Sequence, residues 1–595
     1  MLQKVKFAPG FNKQVTSTGG ESQWVNGDNV RFRYGSPEKI GGWAQLGSVE
    51  MTGRNTAIHH FVNTSGIKYA ALGTSSILYA YSGGIFYDIH PIKSTTTLTS
   101  AFSTTNGSAA VTLTFSSAHN MNKGDIILLD NFSSITNSNF ASGDFTDIKF
   151  MVTSIPTDTT LTITMGSNES GSGASTSGGI RVRHYYPVGP AVETATTGWG
   201  LGSWGGVQQG QFTSTLSSGI NASVTSLTMA SSSSFPSSGT VQIGTELITY
   251  TGNSGGTLSG LTRGAVGTTA AIHSSGATVT DASNFFSWNA AASGDIVTAP
   301  GLWSLDNFGN KLIATINGGE SFEWDSNPTG ANNTRATIIS GAPTASAFSL
   351  VSTPDRHLIF FGTETTVGTS STQDPMFVRF SSQEDINTYA PSATNTAGTQ
   401  RLADGSKIVG AIRGRDAIYV WTDTALFTMR FVGPPFTFSF QQVGTNCGLI
   451  GQNAAVEVDG TAYWMSENGF FRYAGRLESL PCLVEDHVFD DINTIPKQHI
   501  NAGLNNLFGE VMWFYPNSGS GTVNRMVAFN YLDSSPERPV WTTGTLARTA
   551  WQDSAVFGKP HATEYDTSSN GTSGSSTFVQ GNVDGVSYYY EHEKG

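Results

Sequence analysis

At 595 residues with a formal net charge of −13 and a pI of about 5.3, the chain carries no overall basic footprint for phosphate binding. Only 13% of residues are charged and 69 are glycine; with polarity resting on Ser, Thr and Asn, the mix disfavours long exposed helices and favours short strands joined by turns. The length predicts about three to five domains, and two cysteines exclude a disulfide framework and a cysteine-based zinc centre.

The opening MLQKVKFAPGFNK is charged and lacks the apolar core of a secretory signal. No run approaches the roughly 18 apolar residues of a membrane span, so a soluble chain is expected. The first strand pair follows at IKYAALGTSSILYAYSGGIFYDI, 67–89. Its pattern, an apolar strand, a Gly, Asn or Asp turn, then an aromatic strand, returns only at Lys311, too far on for a simple connection.

The interruption holds two β-rich blocks. In 96–183, alternation at Val111, Leu113 and Phe115 and again at Leu161 and Ile163 predicts half-buried antiparallel strands. SNESGSGASTSGG, 167–179, reads as a flexible loop by composition. A Trp/Gly-rich linker, 184–210, containing GWGLGSWGG leads to the second block, 211–283. There TVQIGTELITYTG alternates at Val241, Ile243, Ile248 and Tyr250 around a tight turn at Gly244 and Thr245, which predicts a hairpin.

From Lys311 the strand pair recurs as KLIATINGGESFEWD, HLIFFGTETT, DAIYVWTDTALFTMRF, GTAYWMSENGFFRYAG, GEVMWFYPNSGSGTVNRMVAFNYL and GVSYYYEHE. Starts about 45 to 60 residues apart match the blade of a β-propeller. The expected fold is therefore all-β, a β-propeller core with two inserted small β domains. In this division 1–95 opens the body, 96–183 and 211–283 are the insertions, 184–210 links them, and 284–595 completes the body.

Few residues suggest chemistry. A glycosidase needs two carboxylates about 5 to 10 Å apart across a sugar; Glu384 with Asp385, Asp490 with Asp491, and Glu591 with Glu593 beside His592 stand in turns or at segment ends and read as solvated side chains. His59 and His60 are adjacent on a strand and so face opposite ways, which argues against a shared metal. No phosphate-binding glycine loop precedes a helix. Arg413 and Arg415 in IRGRDAI read as an ordinary basic turn, and Cys447 and Cys482 as apolar packing positions without a mutual bond. Aromatics in YVW, AYWM, MWFYP and YYY read as core rather than as a sugar-stacking surface. No catalytic, cofactor-binding or metal residue is assigned.

Two resemblances add to this reading. Phe235–Gly239, Ile248–Gly252, Leu261–Gly264 and His273–Gly276 (FPSSG, ITYTG, LTRG and H-x-x-G) resemble a small module of bacteriophage structural proteins. PGFNKQVTSTGGESQWVNGDNVRFRYGSPEKIGGW, 9–43, resembles the opening of the tail nozzle, or packaged-DNA stabilisation protein, of short-tailed phages. So do the segment 381–451, from SSQEDINTYAP to NCGLIG, and the following DGTAYWMSENGFFRYAGRLESLPCLVEDHVFDDIN. The resemblance spans about 9–92 and 300–595.

The nozzle resemblance implies a structural virion protein without enzymatic activity. It implies a homo-hexamer in the virion tail, assembled in the host cytoplasm, that lies below the head-to-tail adaptor and meets a tail fibre or other distal tail protein. Viral DNA is retained in the lumen and then passes through it. Repulsion from an acidic wall suits such a conduit, and loops, with Arg413 and Arg415 as named candidates, are expected to narrow its distal opening. Nozzles often continue beyond their final blade, so the ending YYYEHEKG reads as that of a shortened or an incompletely described product. The competing readings are a peripheral receptor- or glycan-binding tail protein and a tail-associated glycosidase.

Overall fold

Period-two alternation and turn glycines translate into strands throughout the computed structural model, which describes 7–47, 49–99, 102–131, 134–136, 138–170, 175–177, 179–192, 213–233, 235–283, 300–326 and 334–592. The protein is all-β, and among the described residues the one α-helix is the single turn Glu485–Phe489. Among the described residues there are thirteen small sheets, every strand pairing within them antiparallel except one.

Seven of these sheets share one plan of antiparallel strands: in six of them four strands follow in chain order, and the seventh takes its fourth strand from the N-terminal segment. Their first strands are Asn55–Val62, Trp303–Phe308, Phe348–Ser352, Ile408–Arg413, Ala455–Val458, Asn501–Asn505 and Ala550–Gln552. Each first strand packs beside the next, and the seventh returns to the first. The quoted repeats fall on the inner strands of these sheets: IKYAALGTSSILYAYSGGIFYDI holds Lys68–Thr74 and Leu78–Ser82, and GTAYWMSENGFFRYAG holds Thr461–Ser466 and Gly469–Tyr473. Their aromatics are interior: Trp324, Trp421, Trp464 and Trp513 are all fully buried, as is Trp541 on the outer strand of the sixth sheet. Each fills the space between adjacent sheets, where a flat apolar ring contributes the largest area per residue. Gly503 is needed for the same packing, because a Cβ there would stand 2.6 Å from the Trp551 ring.

The seventh sheet is assembled from both ends of the chain. Ala550–Gln552, His561–Asp566 and Val586–His592 are followed at the edge by Trp43–Gln45, with Trp43 opposite His592. The rest of the 9–43 segment lies over sheets five and six. Phe11 donates its amide to the Trp541 carbonyl at 2.8 Å, Lys13 to the Leu483 carbonyl at 2.9 Å, and the hairpin Val30–Arg33 and Ser36–Lys39 buries Arg31 against Glu510.

The two blocks between the first and second sheets differ in attachment. In the first, Ile92–Thr99, Gly179–Tyr185, Ile126–Asp130 and Ile148–Met151 make a sheet whose last strand pairs in parallel with Val579–Gln580. A second sheet, Phe102–Thr104, Ala110–Thr114, Thr160–Thr164 and Ser154–Thr157, buries Val111, Leu113, Leu161 and Ile163 on one face. Ile126, Leu128 and Met151 turn the other way and join a core with Tyr79 and Tyr589. Composition misread part of 167–179. Ser175–Ser177 is a strand paired with Ser134–Thr136, because backbone pairing requires no apolar side chain. Glu169 is buried and accepts the Asn139 amide at 2.9 Å.

Charge fixes this block to the body. The Asp88 carboxylate receives Lys149 Nζ at 3.3 Å, the Tyr185 hydroxyl at 2.6 Å and Arg335 at 3.1 Å. Burial pushes the Asp88 carboxyl up, but Lys149 and Arg335 outweigh it and hold the group well below the usual carboxylate range. A depressed carboxyl contributes stability above the unfolded value of about 3.9, and loses it as pH falls further. Asp88→Asn is expected to weaken docking by about 2–3 kcal/mol at pH 7, the worth of hydrogen bonds to a charged group. Faster amide exchange in Ile126–Asp130 and Ile148–Met151 is the readout, and unchanged exchange would refute it.

The second block keeps its core to itself. Thr213–Thr215, Thr278–Asp281, Gly239–Ile243 and Glu246–Tyr250 form one sheet, and Ser226–Thr228, Thr257–Ser259 and Gly252–Ser254 another. Val241, Ile243, Ile248 and Tyr250 are buried between them with Leu216, Leu227 and Phe235. The hairpin turn is at Gly244 and Thr245, where Gly244 takes a φ of 60°. GWGLGSWGG lies outside the described residues.

Candidate functional site

The seven first strands frame a cavity of about 380 Å³. They run in the same direction in register, as cross-sheet bonds record: the Trp303 amide reaches Thr56 Oγ1 at 3.2 Å, the Ser349 amide Ser304 Oγ at 2.9 Å, and Trp551 Nε1 the Leu504 carbonyl at 2.9 Å. The strand starts therefore collect at one end of the cavity and the strand ends at the other.

At the first end the cavity is crossed. Asn453 Nδ2 donates to the Thr56 carbonyl at 3.2 Å, joining sheet five to sheet one. At the second end Asp306, Glu457 and Asp553 bring carboxylates to the wall, with Arg413 among them. Arg413 Nη1 meets Asp306 Oδ1 at 3.0 Å and the Val351 carbonyl at 3.2 Å, so one guanidinium ties the fourth sheet to the third and second. Asp306 also accepts the Val351 amide at 2.8 Å. His59 Nε2 donates to Asn307 Oδ1 at 2.8 Å; burial lowers its pKa against the pull of Asp306, leaving the ring neutral at pH 7. Asp553 is pushed the other way, its carboxyl raised by burial despite bonds from Ser554 and Asn506. Carboxylates set in a wall of mixed polar and apolar side chains do not suit phosphate, and a space of about 380 Å³ bridged by one side chain does not admit a duplex.

Arg413 thus departs from the solvated turn expected for it. It ends a strand and is half-buried in an ion pair 107 residues away in sequence, a partner that local composition does not reveal. Arg415 is exposed in the turn. His59 and His60 do face opposite ways. His60 leaves the cavity and packs on Phe557 and His561, with Nε2 3.0 Å from the Tyr589 hydroxyl. No three His, Cys, Asp or Glu side chains converge as metal ligands among the described residues.

The carboxylate pairs stay apart in role. Glu384 pairs with exposed Arg356 at 2.9 Å, and Asp385 caps the Asn387 amide at 2.8 Å. Asp491 receives Ser518 Oγ at 3.0 Å. Glu591 binds Lys559 at 3.3 Å, whereas His592 is buried between Trp43 and Trp551, and burial lowers its pKa to about 4. Glu593 lies outside the described residues. Cys447 and Cys482 are both free and buried, and burial raises both thiols, Cys447 to about 11.

The LTRG and H-x-x-G motifs converge on a residue that sequence reading passed over. Fully buried Glu246 receives Arg263 at 2.8 and 2.7 Å, His273 Nε2 at 2.7 Å, and the amides of Gly264 and Ala271 at 3.0 Å each. Arg263 also donates to the Asn221 and Ala271 carbonyls. LTRG and H-x-x-G thus supply the cation and the ring nitrogen that meet one interior carboxylate. The signal available was Glu246 itself, a lone charge in an apolar hairpin.

No protein-family profile matches the chain, and no curated protein does. Solved structures resemble it weakly. The computationally designed Ika8 protein is 10% identical with a TM-score of 0.29, over 64% of this chain and 96% of its own. BamB from Moraxella catarrhalis is 12% identical with a TM-score of 0.26, over 49% and 84%. The endosialidase of phage phi92 is 9% identical with a TM-score of 0.17, over 94% and 60%. Likeness at this level assigns neither a fold nor an activity.

Proposed function

We propose that this chain is a structural subunit of a short phage tail, a seven-bladed β-propeller with two inserted β domains that assembles as a hexameric nozzle below the head-to-tail adaptor. The observation that carries the reading is the nozzle-like 9–43 segment. Its residues span sheets five to seven and supply Trp43–Gln45 to the last of them, so one of the stretches that resemble the nozzle also joins the two ends of the body. Sheets of four antiparallel strands whose first strands run side by side, the seventh beside the first, are what a propeller requires.

The cavity at the centre of one subunit is too small and too obstructed to pass DNA. In the nozzle the duplex travels through the lumen enclosed by six subunits, and the inserted blocks decorate the body or meet neighbouring tail proteins. At −13 per chain the assembly carries about −78 formal charges, so DNA is retained by constriction rather than by phosphate pairing. Packed sheets move as rigid bodies while loops rearrange. Imaging full and emptied particles is expected to show a six-fold ring whose distal opening widens after ejection. A lumen of constant diameter, or one lined by Lys and Arg on phosphates, would overturn the gating. A trimeric fibre or saccharide cleavage would overturn the nozzle itself.

A further inference from the structure

The fourth sheet ends in an overhang. Its last two strands, Ala425–Gly433 and Thr437–Thr445, are nine residues each, the longest of the seven sheets. Their connection places Phe431, Val432 and Phe436 in solvent at 43, 54 and 78% exposure, alongside Pro434 and Pro435. Three large apolar side chains within six residues at one hairpin end are more than scattered surface hydrophobicity, with Phe431 packed in part on His357 and Phe438.

A pocket of about 490 Å³ opens between the outer parts of sheets five and six. Tyr463, Phe529, Tyr531, Leu480, Pro536 and Pro539 line it. The Tyr463 ring stands 6.0 Å from Phe529 and 6.4 Å from Tyr531, an aromatic wall, with Arg472 and Arg476 at the rim. No residue of the 431–436 tip is among those lining it.

We propose that the 431–436 tip of one copy seats in this pocket of a second copy, making a head-to-tail contact that repeats around a ring. An apolar projection and a complementary pocket at separate places on one chain define a heterologous interface, which closes into a ring when its rotation permits. Aromatic side chains favour offset or edge contacts with such a wall, and the rim guanidinium of Arg476, 84% exposed, is placed to cover a phenyl face. Arg430 at the base of the tip, and Asp533, Glu537 and Arg538 in the loop forming one pocket wall, are exposed, and none makes an ion pair among the described residues; the loop therefore carries one net negative charge for Arg430 to meet. The inference deepens the nozzle reading and rests on it only for the number of copies.

Two variants and their mixture test it. Phe436→Asp removes the tip, and Ser535→Arg fills the pocket mouth from an exposed position. Mass photometry is expected to show rings for the unmodified protein and monomers for each variant, with association weakened at least tenfold. An equimolar mixture is expected to stop at 1:1 dimers, since one intact tip and one intact pocket remain. Rings from both variants would overturn the interface while leaving the nozzle standing. Open chains or another ring size, abolished by both variants, would support the interface and overturn the hexamer. A Val432→Cys, Ser535→Cys chain guards against misfolding as a cause: mild oxidation is expected to link different chains, and a bridge within one chain would overturn the proposal.

Discussion

Replacing Glu246 by Gln is expected to destabilise the 213–283 block by about 3–5 kcal/mol at neutral pH, the cost of leaving a buried charge uncompensated, while the seven-sheet body stays folded. The carboxylate is fully buried, and Arg263 beside it is nearly so. A Gln at 246 retains the shape but removes the charge that Arg263 and His273 both address. A stability of about 0.05–0.15 kcal/mol per residue leaves a block of this size little reserve. Glu246→Gln combined with Arg263→Met is expected to recover part of the loss, because the stranded cation is gone.

Acid reports the same device. Burial pushes the Glu246 carboxyl up, but Arg263, the Ala271 amide, His273 and the Gly264 amide bring it down to about 2. The folded value lies below the unfolded one of about 4.3, so this stability is whole above that pH and is lost as pH falls toward 2. Amide exchange across 213–283, followed beside that of the body, measures both effects. Equal exchange in wild type and Glu246→Gln would rule the mechanism out, as would body strands opening together with the block. Deleting 211–283 with a short Gly-Ser bridge is expected to leave the body folded, since its core cluster contains no residue from outside 216–279.

Arg31→Ala is expected to cost a similar 3–5 kcal/mol and to loosen the N-terminal segment from sheet six. Arg31 meets Glu510 at 3.1 Å with both side chains almost entirely buried, and its guanidinium lies 3.5 Å from the centre of the Phe508 ring. Burial raises the Glu510 carboxyl although Arg31 opposes it. A raised carboxyl favours the folded state in its protonated form, so the associated stability is present below the unfolded value of about 4.3 and is lost as pH rises. Without Arg31 the folded value climbs further. The penalty of Arg31→Ala should therefore be largest at pH 7 and shrink as pH approaches 4. Urea unfolding of the two proteins at both pH values tests this, and a pH-independent difference would show that Glu510 is not the group left exposed to the loss.

Strand identity was written locally. Alternation at Val111 to Phe115 and at Val241 to Tyr250 depends only on side chains pointing to opposite faces every second residue, and each of these apolar positions is buried. The hairpin turn at Gly244 and Thr245 needed only a residue that accepts positive φ. The opposed faces of His59 and His60 follow from the same geometry. The partners of charged residues were not local. Glu246 meets His273 across 27 positions, Asp306 meets Arg413 across 107, and Arg31 meets Glu510 across 479. A lone Arg or Glu in a sequence reads as solvated because most are; only the packing of sheets decides which lose their water and must find a counter-charge. The edge strand Trp43–Gln45, three residues with no alternation to announce them, became a strand because the seventh sheet offered an unpaired edge. Propensity acts over a few residues, whereas closure and charge pairing act between segments that the chain brings together only when it folds.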